Sequence, residues 1–232
     1  RLRWVMRRLA ESPEQWTGIA NSFAQAADLG VVGLELEEQE VPQKVLDLLR
    51  LLPWSEDEEP EVPAEVLKEL QRHLVFRHRG ANGEEYRLNI DQQSQGTLTW
   101  LATVGPAVDA LRLGQVMCVD ELDASLHPVL TATLVDMFKD PDLNTRGAQI
   151  VFTTHDTALL DNSPVQLLEA GEVWMTEKSS FGASELFSLA DFPSHRKGTN
   201  KQRRYLVGAF GAVPRVVTSG FRRYLSIPTE AK

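Results

Sequence analysis

Two neighbouring carboxylates, Asp120 and Glu121, follow the apolar run Val116-Met117-Cys118-Val119. Such a run reads as a short buried strand, and ligands of open α/β sheets bind beyond the carboxyl ends of the strands. A carboxylate pair at that edge suits a magnesium-bound triphosphate. Asp120 would hold Mg²⁺, directly or through its water, and Glu121 would polarise the attacking water. The same residues also fit a strand that ends in a solvated acidic turn. Asp123-Ala124-Ser125-Leu126-His127-Pro128 follows at once, and a second apolar run, Ile150-Val151-Phe152, ends in Thr153-Thr154-His155-Asp156. His155 therefore stands at a strand's C-terminal edge, in reach of a γ-phosphate or of the water beside Glu121. Upstream, Gln93-Ser94-Gln95-Gly96-Thr97 precedes a helix from Leu98. A serine and glycine at a helix N-terminus offer backbone N–H groups and a positive dipole end to an anion. A plain helix cap by Ser94 or Thr97 accounts for the same residues. Asp120, Glu121, His127, His155 and Asp156 also have the residue types of a metal-dependent hydrolase, although metal sites usually need a tighter ligand cluster.

The elements that must position these groups are legible as patterns. Residues 1–27 read as helical, with Ser12-Pro13 as a helix start. Leu29 to Val41 suggests a strand with Glu35 and Glu37 on its wet face. Lys44 to Leu52 and Pro63 to His73 read as helices, separated by an exposed acidic loop from Pro53 to Glu61. Leu74–His78 and Tyr86–Ile90 flank Gly80-Ala81-Asn82-Gly83 as a hairpin. Helix and strand then alternate: a helix to Leu113, a buried strand at Gln115–Val119, a helix at His127–Lys139 and a buried strand at Gln149–Phe152. Further strands are expected at Pro164–Leu168 and Glu172–Met175. Alternation of this kind indicates an α/β fold with parallel pairing.

Composition sets limits. The 232 residues are 42% hydrophobic and 25% charged, which excludes global disorder, and no apolar run is long enough to span a membrane. The net charge of −9 argues against a nucleic-acid binder. That charge is uneven, because Ser194 to Lys232 holds nine Lys or Arg against the single acid Glu230. Arg196, Lys197, Lys201, Arg203, Arg204, Arg215, Arg222 and Arg223 could contact nucleic-acid phosphates, dock an acidic partner or form a solvated face. Phe210, Val213 and Leu225 read as core. Cys118 is the only cysteine, so no internal disulfide forms, and it reads as a small core residue in a protein of the reducing cytoplasm.

The order of the motifs resembles an ABC-type ATPase head, and is most similar to AAA-family ATPases related to the overcoming-lysogenisation-defect (OLD) and SMC proteins. In that resemblance Ser94-Gln95-Gly96-Thr97 matches the signature motif, and Val116 to Glu121 the Walker B strand with its catalytic glutamate. Leu122 to Pro128 matches the D-loop and His155 the switch histidine. The similarity covers about residues 74–170. The stretch from Lys197-Gly198-Thr199-Asn200 to Pro214, with Tyr205, resembles the C-terminal segment of prokaryotic members, many of which serve anti-phage defence. Ser-Gln-Gly-Thr in place of the transporters' Ser-Gly-Gly favours the defence and repair branch.

The resemblance implies an α/β, ABC-type P-loop NTPase head: a mostly parallel sheet flanked by helices, with a helical and β-hairpin insertion before the signature motif. The implied domains are a mainly helical region at 1–73, the C-terminal lobe of the head at 74–193 and a basic segment at 194–232. Two heads would sandwich ATP and Mg²⁺. Ser94, Gly96 and Thr97 would contact nucleotide held by the partner head, and Asp123 would communicate across the interface. Asp120 would hold the metal of the chain's own site, and Glu121 and His155 would act catalytically there. The partners implied are a second copy and a separate effector, for example a nuclease, with no membrane. A P-loop needs G-x-x-x-x-G-K-[ST], which does not occur among the 232 residues. The chain is therefore expected to be the C-terminal part of a longer ATPase. The rival expectation is a catalytically incomplete scaffold or sensor that holds a separate effector.

Overall fold

The computed structural model describes residues 2–27, 30–52, 62–161, 166–192, 200–214 and 218–225. They divide into two compact units, Arg1–His155 and Asp156–Lys232. The acidic segment 53–61 lies outside the described residues.

The first unit starts with helices α1 (Arg3–Glu11) and α2 (Pro13–Ala26), with Pro13 in the first turn of α2, where its missing N–H costs nothing. Strand β1 (Val31–Glu38), helices α3 (Gln43–Leu49) and α4 (Ala64–Gln71), and strands β2 (Arg72–Arg79) and β3 (Glu85–Asn89) come next. These strands form an antiparallel sheet in the order β1-β2-β3. Leu34 faces Phe76, and Phe76 faces Leu88. Leu34 and Phe76 are fully buried, so the period-2 alternation fixes which face of the sheet is the core. The other face carries Glu35 and Glu37, as their alternation predicts. Arg77 pairs with Glu35 at 3.1 Å and Glu85 at 2.9 Å, while Arg87 meets Glu35 at 3.0 Å and also Glu37. The expected boundary at 73/74 falls inside β2, which pairs with β1 across it.

Helix α5 (Gln95–Leu113) is the long element of the unit. It contains Gly105 and Pro106, and a Cβ at Gly105 would overlap the Trp4 ring of α1. That glycine lets α1 approach closely, and Trp100, Leu101, Val104 and Ala107 fill the interface with apolar surface. Gly114 closes the helix with φ +67°, the left-handed cap that glycine adopts without a Cβ penalty. Strand β4 (Val116–Val119), helix α6 (Pro128–Lys139) and strand β5 (Gln149–Phe152) complete the unit. His127 caps α6, accepting from the Val129 N–H at 3.2 Å, and Pro128 begins the helix.

β4 and β5 pair in parallel, Met117 opposite Ile150 and Val119 opposite Phe152. The parallel pairing is as expected, but its burial and extent are not. Among the described residues these are the only parallel strands; the other two sheets are antiparallel, so the sheet is not mostly parallel. Val116 and Val151 are each 59% exposed, and Cys118 is exposed rather than a core residue. α5 contacts β4 and α6 contacts β5, and alternate residues of both strands remain bare.

The second unit has strands β6 (Trp174–Lys178) and β7 (Ser184–Ser188), an antiparallel hairpin, and short helices α7 (Lys201–Leu206) and α8 (Ser219–Leu225). Its core is Met175, Leu189 and Phe210, with Phe192 stacked edge-on to Phe210 at 5.3 Å between centroids. The expected strand at Pro164–Leu168 falls partly outside the described residues, and 166–168 form no strand. The strand expected at Glu172–Met175 begins at Trp174 and runs further, to Lys178. Leu225 is 82% exposed rather than core, because α8 has no apolar surface over it among the described residues. No described helix is long and apolar enough to cross a membrane.

Candidate functional site

The register of β4 and β5 brings their C-terminal ends together, and Thr153 ties the two chain segments beyond those ends to each other. Its N–H donates to the Val119 carbonyl at 3.0 Å, and its carbonyl accepts from Leu122 N–H at 2.9 Å. Its hydroxyl donates to Asp120 Oδ1 at 2.5 Å and accepts from the Glu121 N–H at 2.8 Å. One threonine therefore orients both members of the carboxylate pair. Glu121 adopts φ +52°, a conformation that L-residues with a Cβ rarely take and that costs about 1 kcal/mol or more. Its side chain points outward, 4.0 Å from His155 Nε2 at the nearest oxygen. Glu121 and His155 are both exposed.

Asp123 is tied to the strand that carries His155. Its Oδ1 accepts from the Thr154 hydroxyl at 2.7 Å and from the His155 N–H at 3.2 Å. Partial burial raises the pKa of this carboxyl. The hydrogen bonds from Thr154, from its own backbone N–H and from the His155 N–H, with the His155 charge, outweigh that and hold it below the ordinary value of an aspartate. A folded pKa below the unfolded one gives stability that is present above the unfolded value, about 3.9, and is lost as pH falls through the folded pKa. Thr154→Val removes the strongest of the donors. It should raise the Asp123 pKa and lower stability near neutral pH, and its deficit relative to the parent should shrink as the pH falls below about 3.9. Urea midpoints across that range check the sign; a deficit that grows on acidification would be the opposite outcome.

The residues expected to form the signature motif sit at the start of α5. Ser94 is the N-cap: its Oγ accepts from the Thr97 N–H at 3.0 Å and shares a 2.8 Å hydrogen bond with the Thr97 hydroxyl. Thr97 is 4% exposed, so it holds the turn and does not face solvent. Gly96 packs against the loop after β4. A Cβ there would lie 2.9 Å from the Ser125 carbonyl oxygen, a backbone atom that cannot swing aside. Ser125 has φ +62°. The structure thus places Ser94, Gly96 and Thr97 on one side of the Asp123–Ser125 loop, while Thr154 and His155 hold Asp123 from β5. Thr153 is the residue that sequence reasoning left without a role. Its signal is its position, one residue past Phe152, the strand partner of Val119.

Among the described residues no three His, Cys, Asp or Glu side chains, those of Asp120, Glu121, His127, His155 and Asp156 included, gather as a metal cage. The donor set still fits Mg²⁺, which keeps its waters and takes one or two carboxylates plus phosphate oxygens. The basic segment is altered by its packing. Lys201 is 9% exposed and its Nζ donates to the Leu168 carbonyl at 3.0 Å, so it is not free for a phosphate. The Arg204 guanidinium lies 4.9 Å over the Phe210 ring. Arg203 and Arg222 are exposed. Arg196, Lys197, Arg215 and the Arg223 side chain lie outside the described residues.

Among curated proteins none matches the chain. A family model does match, that described as "AAA domain, putative AbiEii toxin, Type IV TA system", over residues 37–161. That span is more than half of the chain and includes Ser94, Asp120, Glu121, Asp123 and His155. The chain belongs to this family of AAA-domain, P-loop ATPases.

Proposed function

We propose that the chain is an ATP-hydrolysing, ABC-type ATPase subunit that closes as a dimer around Mg²⁺-ATP and so controls a separate effector in anti-phage defence. The observation that carries this reading is the Thr153 hydroxyl, which fixes Asp120 and Glu121 together at the joined ends of a parallel strand pair. Mg²⁺ held by Asp120 would neutralise charge on the phosphates. Glu121 would take a proton from the attacking water, with His155 on the γ-phosphate side. The start of α5 would offer its N–H groups to nucleotide on the opposing subunit.

Two further observations support it. Parallel sheets are covered on both faces, whereas Val116, Cys118 and Val151 are bare. The reading assigns that apolar face to the segment bearing the P-loop, which the 232 residues do not contain. A family description that names a toxin supports coupling to an effector.

Sedimentation of the complete ATPase, with its P-loop segment, tests the dimer. Ser94→Ala loses the helix cap, costing about 1 kcal/mol. It should also weaken ATP-dependent association by about tenfold, without changing ATP binding to the monomer. An equally ATP-dependent dimer contradicts the role given to Ser94.

A further inference from the structure

A second cleft lies at the far ends of β4 and α5, away from the carboxylate pair. Its volume is about 660 Å³, within the range of small-ligand sites. Arg8, Arg112 and Arg146 line it. Arg8 is neutralised by Asp109 at 2.5 Å. Among the described residues neither Arg112 nor Arg146 has a carboxylate within ion-pair distance, so two guanidinium groups face the cleft uncompensated in a chain of net charge −9. The Arg112 side chain is placed by an aromatic ring, and the Arg146 backbone by a close approach to a glycine. Arg112 lies 5.9 Å from the Trp16 ring centroid, against which Arg8 stacks at 5.2 Å. The Arg146 backbone packs on Gly114, where a Cβ would meet its carbonyl oxygen at 2.8 Å. Leu113 and Leu143 add exposed apolar surface to the wall.

We propose that this cleft binds a small phosphate monoester carrying an aromatic base, of mononucleotide size. Arg112 and Arg146 present planar forks that match phosphate oxygens two at a time. Leu113 and Leu143 give the ring a surface to leave water on, and Ser12, Gln15 and Thr145 bring polar groups to the same cleft. Asp109, the only acid lining it among the described residues, is already engaged by Arg8, so no unpaired carboxylate lines the cleft to hold a divalent metal. In this it differs from the Asp120 site, and it does not depend on the ATPase reading.

Titration of the protein with AMP in metal-free buffer containing EDTA tests the site. One AMP per chain is expected to bind. Arg112→Ala and Arg146→Ala should each weaken binding by about tenfold, the value of one lost charge-assisted contact. Both residues are exposed, so circular dichroism should show an unchanged fold. Asp120→Asn should leave AMP binding as it was. Inorganic phosphate should compete, but more weakly than AMP because it lacks the ring. Absence of AMP binding, equal binding by the arginine variants, loss on Asp120→Asn, or binding only of a single-stranded decanucleotide would each overturn the proposal.

Discussion

Glu121→Gln should lower ATP turnover of the complete ATPase by about 10²–10⁴-fold, the usual contribution of a positioned general base. ATP binding should persist, because glutamine keeps the size of the side chain and the contacts that orient residue 121 come from its backbone. The Glu121 N–H donates to the Thr153 hydroxyl whatever the side chain. With chemistry blocked and nucleotide retained, the closed dimer should accumulate. Phosphate release and sedimentation on the same sample read the two effects. Unchanged hydrolysis would remove Glu121 from the reaction, and loss of ATP binding would make it a ligand instead.

Gly96→Ala is the second large effect. The new methyl would stand 2.9 Å from the Ser125 carbonyl oxygen, closer than a Cβ normally approaches any atom. Either the first turn of α5 or the Asp123–Ser125 loop must move. Overpacking of this kind costs about 1–3 kcal/mol. The displacement falls on residues that the dimer reading places at the nucleotide interface, so ATP-dependent association should weaken beyond what global stability explains. Gln95→Ala, one residue away and exposed, is the control and should change stability by less than about 0.5 kcal/mol. If both variants behave alike, the close approach at Gly96 has no functional weight.

Much of this arrangement is legible as pattern. Short apolar runs followed by Asp120-Glu121 and by Thr153-Thr154-His155 place both groups at strand ends, and β4 and β5 pair in the parallel sense that helix–strand alternation implies. In β1, β2 and α5 the periodicity holds, because Leu34, Phe76 and Leu101 are buried where period 2 and period 3.6 put them. Pattern fails where a residue's fate depends on surfaces distant in sequence. Val116, Cys118 and Val151 are apolar and so read as core, but a strand has two faces and only one is covered here. The strand β7, Ser-Glu-Leu-Phe-Ser, is too short and polar to announce itself, and pairing with β6 through the turn at Gly182 creates it. The role of Thr153 is invisible as a residue type, since threonine commonly ends a strand. Register alone makes it the link between Asp120 and Glu121. Lys201 reads as a cationic contact until its ammonium is seen capping the Leu168 carbonyl.

The most direct test of the carboxylate pair is the metal. Mn²⁺ replaces Mg²⁺ at sites of oxygen ligands, and its electron paramagnetic resonance spectrum reports the bound ion. In the complete ATPase with ATP, one Mn²⁺ should bind per subunit, and Asp120→Asn should weaken it by about tenfold or more while Asp123→Asn leaves its affinity unchanged. Mn²⁺ bound equally well by Asp120→Asn would contradict the assignment of the β4 carboxylates to a metal–nucleotide site.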